Sequence, residues 1–238
     1  MERKRHPGHL LFEKTVPEGT IQVEDKIIYG RRARFLLVDG YMESAVFTEP
    51  GYRNELIFTY MKSFDAALRT REPFQSVLLI GGGAMAYPRH LLNCYSDICV
   101  DAAEYSPNIL SISRDWFGLK ELQNEFRERF QVIPDDGFKY LARSHIRYDV
   151  IINDAYARNR LAGKSAAHCK TVYQKLMPGG LYIINAVSAM KGPKSLTGRR
   201  IIRNLGKLFR YTTQLPVDPD RSAWENQNTL IIASDKPI

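Results

Sequence analysis

Ser76-Val77-Leu78-Leu79-Ile80-Gly81-Gly82-Gly83-Ala84-Met85-Ala86 sets a short unbroken apolar run directly before three glycines. Apolar residues that do not alternate with polar ones suit a strand covered on both faces. The glycines allow a turn in which a ligand approaches the backbone closely and free amides gather at a helix start. Downstream, Ile98-Cys99-Val100, Phe130-Gln131-Val132-Ile133, Val150-Ile151-Ile152 and Leu181-Tyr182-Ile183-Ile184 are runs of the same kind, spaced for crossover helices. The last two β-prone runs, Tyr211 to Val217 and Thr229 to Ala233, have no long helix between them, which predicts an antiparallel pair at the sheet edge. The expected class is therefore α/β, a doubly wound, mostly parallel sheet of seven strands.

Upstream, Thr20-Ile21-Gln22-Val23, Arg34 to Val38 and Tyr41 to Phe47 are short β-prone runs, the last two joined by the turn dipeptide Asp39-Gly40. They predict a small antiparallel β-domain over residues 1–50, with the larger unit over 51–238. After Pro50-Gly51, the residues Leu56, Tyr60, Phe64 and Leu68, with Ile57 and Met61, fall on one face of a helix.

The 238 residues are 44% hydrophobic and 25% charged, enough to bury one substantial core. No apolar run approaches the roughly 20 residues of a membrane-spanning helix. The basic start, Met1 to His6, is followed by no apolar core of a secretory signal, so a cytoplasmic location is expected. Cys94, Cys99 and Cys169 form no Cys-x-x-Cys pair and are expected as buried thiols. His6, His9, His90, His145 and His168 show no metal-ligand spacing, and no catalytic metal is expected.

The net charge of +8 is unevenly distributed. Residues 155–217 carry twelve Lys or Arg and no Asp or Glu, leaving 22 basic and 26 acidic residues elsewhere. Arg199, Arg203, Lys207 and Arg210 fall on one side of an expected helix, with Ile201, Ile202, Leu205, Leu208 and Phe209 on the other. With Lys191 and Lys194, the charged side could meet a nucleic acid or an acidic partner across 191–210. A solvated face with helix-end pairing is the favoured account, and specific nucleic-acid binding ranks well below it, since no aromatic residues are interleaved as in a single-strand platform.

Polar groups gather where a doubly wound sheet builds its site, at the carboxyl ends of strands. Glu104 lies 21 residues beyond Gly83, the spacing at which an acid can reach ribose hydroxyls. Asp136-Gly137 follows the third strand and Asp154 the fourth, in Asp149-Val150-Ile151-Ile152-Asn153-Asp154. Each acid has an alternative as a helix cap or turn former. An acid after such a run needs a partner, solvent or a ligand. For Asp136 the alternative is evenly matched; for Asp154 function is favoured, because four strand-end features converge on one crevice.

The ordered set Val38-Asp39-Gly40, Tyr52, Ile80-Gly81-Gly82-Gly83, Glu104, Asp136-Gly137, Tyr148 to Asp154 and Leu176-Met177-Pro178-Gly179-Gly180 resembles the spermidine synthase family. The resemblance runs over nearly the whole chain and implies a small β-domain before a Rossmann-like class I S-adenosylmethionine-dependent methyltransferase fold. It implies that Gly81, Gly82 and Gly83 approach the nucleoside and its sulfonium tail, that Glu104 holds the ribose, and that Asp136 and Gly137 border the adenine. Asp154 matches the acid that helps deprotonate the attacking amine, and Tyr52 a tyrosine lining the amine channel. Relatives pair through the β-domain, which implies a homodimer.

Three positions depart from that pattern. Family aminopropyltransferases carry an Asp after the glycines that grips the donor's amino group and repels the carboxylate of intact S-adenosylmethionine; here it is Ala84. The second catalytic acid is Ala157, and the glutamine after the family's Asp-Gly strand is Glu43. A polycation needs several carboxylates as it leaves water, so the nucleoside half of the site reads as kept and the polyamine half as altered. The expectation is a transferase using S-adenosylmethionine or its decarboxylated form on an unidentified small-molecule acceptor. Methyl transfer is open to it. The alternatives are true aminopropyl transfer, with compensating acids such as Glu43, Glu49, Glu55 or Asp135, and a non-catalytic scaffold that binds an adenosyl nucleoside.

Overall fold

The computed structural model describes residues 8–17, 19–157 and 160–238, without the side chains of 157 and 160. The expectations placed on Met1 to His6 and on the side chain of Ala157 lie outside the described residues. The chain opens with β1 (His9–Val16), β2 (Gly19–Ile28), β3 (Arg31–Val38) and β4 (Tyr41–Phe47), an antiparallel sheet in sequential order. Asp39 and Gly40 both adopt positive φ (51° and 76°), which a two-residue hairpin turn matching strand twist requires. The Asp39 carboxylate also accepts the Thr20 amide at 2.8 Å, tying this turn to β2.

After a single 3-10 turn at Pro50–Tyr52 comes α1 (Thr59–Arg69), which buries Met61, Phe64, Ala67 and Leu68. The larger unit continues through β5 (Ser76–Ile80), α2 (Ala86–Cys94), β6 (Cys99–Ala103), α3 (Pro107–Trp116), α4 (Leu119–Glu125), β7 (Phe130–Ile133), α5 (Gly137–Arg143) and β8 (Tyr148–Asn153). A two-residue pair, β9 (Tyr156–Ala157) and β10 (Arg160–Leu161), precedes α6 (Ala166–Lys175), β11 (Leu176–Ser188), α7 (Leu196–Leu205), β12 (Tyr211–Pro216) and β13 (Gln227–Ser234). The large sheet has the order β12-β13-β11-β8-β5-β6-β7.

The anticipated antiparallel pair is β12–β13, and β13 also runs antiparallel to β11, inserted between β11 and the edge strand β12. Strands β8, β5, β6 and β7 are parallel and their carboxyl ends are level: Ile80 pairs with Asn153 and with Ala103, and Ala103 with Ile133.

Alternate residues along these strands enter different cores. Val77, Leu79, Val100, Val150 and Ile152 join one cluster with α1–α4 and with Ile21, Val23, Leu36 and Val46 of the small sheet. Leu78, Ile80, Ala103, Ile133 and Ile151 join another under α5–α7. This double coverage explains why the strands read as unbroken apolar runs.

Two expectations are corrected. Cys169 is buried, but Cys94 and Cys99 are exposed, because one ends α2 and the other begins β6 at the rim of the sheet. The basic helix stops at Leu205, so Lys207 and Arg210 lie beyond α7 and do not continue the row of Arg199 and Arg203. Gly206, a poor helix residue, caps its end, and the Arg210 amide is held by Asp235 at 2.9 Å as the chain turns into β12. Among the described residues no helix is long and apolar enough to cross a membrane.

Candidate functional site

The glycine turn leaves the tip of β5 and meets the chain that leaves β8. Gly81 has φ 93°, and a Cβ there would stand 2.8 Å from the Cα and N of Ala155. Only glycine allows this crossing, which is pinned by Asp154 N–H to Ile80 O (2.8 Å) and Gly81 N–H to Ala103 O (2.9 Å). Gly83 donates its amide to Glu104 Oε2 at 2.9 Å, and its carbonyl accepts the Ser113 hydroxyl at 2.9 Å.

Glu104 therefore faces the glycine turn, as its spacing predicts. It is 7% exposed, and its other oxygen accepts the Ser106 amide at 2.9 Å. Burial raises its pKa, opposed by backbone hydrogen bonds from Ser106, Gly83, Gly82 and Tyr105. Each carboxylate oxygen offers about two lone pairs, so this acid first fixes the shape of the turn. Its neighbour Tyr105 is 70% exposed.

Asp154 lies at the tip of β8. Its Oδ2 accepts the Tyr60 hydroxyl at 3.0 Å and its Oδ1 the Asn185 side-chain amide at 2.8 Å. Asn185 is held in turn by the Asn228 amide, which donates to its Oδ1 at 3.1 Å. Tyr156 closes the far side, donating to the Asn185 carbonyl (3.0 Å) and accepting the Val187 amide (2.9 Å). Burial raises the Asp154 pKa to about 7, outweighing the hydrogen bonds from Asn185 and Tyr60. A carboxyl held by fixed donors and titrating near neutrality is suited to take a proton from a substrate.

Glu43 is a second acid of the same site. The β3–β4 register slips between Leu36–Ser44 and Leu37–Met42, so Glu43 is the unpaired residue of a β-bulge. Its pKa rises to about 7, through burial and then the charges of Asp154 and Glu104. No ion pair joins Glu43, Glu104 or Asp154 to a Lys or Arg among the described residues.

Asp136 realises the capping alternative: its Oδ1 accepts the Phe138 and Lys139 amides at 2.9 and 3.1 Å at the start of α5. Gly137 is required by packing, since a Cβ there would stand 2.6 Å from Ile80 Cγ2. Both sit at the tip of β7, two strands from β5. Tyr52 makes no hydrogen bond to Asp154 among the described residues. The Arg31 guanidinium lies 3.4 Å from its ring centre, and it packs beside the outer cluster of Ala33, Phe35, Leu37, Ala45 and Phe47. Tyr60, read from the sequence as part of a core face, is the tyrosine that reaches Asp154, and Asn185 was signalled by no motif.

Strand order and the glycine turn define a methyltransferase-like α/β fold. A model of the spermine/spermidine synthase domain matches residues 58–237, and the chain belongs to that family. A polyamine aminopropyltransferase of Thermoplasma volcanium is 26% identical over 193 residues, covering 78% of this chain and 67% of that protein. The human eEF1A lysine and N-terminal methyltransferase is 27% identical over 133 residues, covering 50% of this chain but 18% of its own length. A solved spermidine synthase in complex with the transition state analogue AdoDATO superposes with a TM-score of 0.70 at 17% identity, covering 96% of this chain and 74% of that one. At that identity the likeness is one of fold.

Proposed function

We propose that the chain transfers an alkyl group from an S-adenosyl sulfonium to an amine, with Asp154 as proton acceptor. The observation that carries this is the Asp154 carboxyl, held by Tyr60 and Asn185 beside the glycine turn and titrating near neutrality. In support, the glycine turn and Glu104 lie together at the tips of β5 and β6, joined through the Gly83 amide at 2.9 Å. The ligand of the solved spermidine synthase and the activities of both relatives support the same class of donor.

A sulfonium supplies an activated carbon whose bond to sulfur breaks as the amine nitrogen bonds to it, leaving a neutral thioether. Asp154 accepts the proton that the nitrogen sheds. Tyr60 and Asn185 position the carboxylate through fixed hydrogen bonds, so little reorganisation accompanies the transfer. Methyl transfer from the intact donor and aminopropyl transfer from the decarboxylated one require the same base.

The test is single-turnover transfer from labelled S-adenosylmethionine or its decarboxylated form to a panel of amines. Asp154→Asn is expected to slow transfer by about a hundredfold or more while methylthioadenosine still binds. Undiminished transfer by the variant would remove Asp154 from this role.

A further inference from the structure

We infer that Glu43 and Ser44 form the subsite for the ammonium on the tail of the sulfonium donor, Glu43 supplying the carboxylate that Ala84 lacks. This rests on the proposed transferase reading and adds the chemistry of one end of its donor. Ala84 is 1% exposed and packed into the core, so position 84 offers nothing to a charged group. The wall opposite comes from β4. A Cβ on Gly83 would stand 3.4 Å from Ser44 Cβ and 3.7 Å from its Oγ, which places Ser44 directly against the glycine turn. Ser44 is 1% exposed, and its hydroxyl has no hydrogen-bond partner among the described residues. A buried hydroxyl without a partner costs about 1–3 kcal/mol in general, and here it borders the turn that a donor must approach.

The bulge at Glu43 is the second observation. A regular β4 would pair this residue across the ladder; the extra residue re-aims its side chain. Glu43 makes no hydrogen bond or ion pair among the described residues, and it feels the charge of Asp154 more strongly than that of Glu104. Glu43 directly precedes Ser44 on β4, so the bulge and the close approach of Ser44 to Gly83 set both on the wall beside the glycine turn. Carboxylates gathered without a cation favour a ligand that brings one. An ammonium has three N–H donors, enough for Glu43 and Ser44 together. A tail that also carries a carboxylate would meet the repulsion of Glu43 and Asp154.

Calorimetry of the whole chain with three ligands tests this: decarboxylated S-adenosylmethionine, S-adenosylmethionine, and methylthioadenosine, which has no charged tail. The wild type is expected to bind the decarboxylated donor about tenfold or more tighter than the intact one. Glu43→Gln should abolish that preference, and Ser44→Ala should reduce affinity for the decarboxylated donor several-fold without loss of folding. Neither should change methylthioadenosine binding. Equal affinity of the wild type for both donors, or a preference untouched by Glu43→Gln, would overturn the subsite while leaving the nucleoside reading intact. Failure of methylthioadenosine itself to bind would bring down the proposed function and this inference with it.

Discussion

Asp154 binds its proton more tightly in the folded protein, where its pKa is about 7, than at its ordinary value of 3.8. Its contribution to stability is therefore complete below about pH 4 and is lost as pH rises through about 7. Glu43, raised from 4.5 to about 7, has the same sign. Asp154→Asn should flatten the fall in melting temperature between about pH 5 and about pH 8, as scanning calorimetry at a series of pH values would show. An unchanged slope would mean that Asp154 ionises without cost. The transfer rate of the wild type should rise with pH through about 7 as the base becomes free. Asp154 was legible because an acid follows an apolar run. Tyr60 and Asn185 were not, because they come from α1 and β11, 94 and 31 residues away, and local patterns carry no trace of such a bond. Glu43 stood out as a substitution and as one of several compensating acids; what sets it apart from the others is a bulge that no residue type announces.

At the scale of elements, the glycine turn and α2 carry separate tests. Gly81→Ala must force its Cβ against the backbone at Ala155 and hold a positive φ. It should destabilise the protein by about 1–3 kcal/mol, read by denaturant unfolding, and should weaken methylthioadenosine binding. On α2, His90 links three elements: Nε2 lies 2.9 Å from Asp65 on α1, and Nδ1 lies 2.8 Å from the Asn54 carbonyl. Burial alone would lower its pKa, but these acceptors prevail and raise it above 6.5. The stability it confers is present below pH 6.5 and lost as pH rises through the raised value. Hydrogen exchange around residues 50–55 should therefore quicken with pH beyond its intrinsic rate in the wild type, and this excess should vanish in His90→Gln. The strands of the large sheet were legible because double coverage writes itself as unbroken apolar runs, whereas β1, β9 and β10 carry no such run. The early end of α7 was not, since the apolar spacing continues to Phe209 although the helix ends at Leu205.

Over the whole molecule, the acid-free stretch lies largely to one side of the sheet. The acid-free stretch supplies α6 and α7, whose Cys169, Val172, Ile201 and Leu205 anchor them on one face of the sheet while Lys170, Arg199, Arg200 and Arg203 are solvent-facing. The crevice is instead set by Glu43, Glu104 and Asp154, which come from the small sheet and from the tips of β6 and β8. An overall charge of +8 thus does not describe the local field a ligand meets. The small sheet, which supplies Glu43 and Ser44, shares a hydrophobic core with α1–α4, so its packing fixes one wall of the site. The most direct measurement is hydrogen exchange by mass spectrometry with and without methylthioadenosine. Slower exchange over residues 80–85, 103–106 and 153–156 is predicted, since all three segments meet at one end of the sheet. Binding that protects none of these segments, or protects only the face under α5–α7, would contradict an adenosyl site at the tips of β5, β6 and β8.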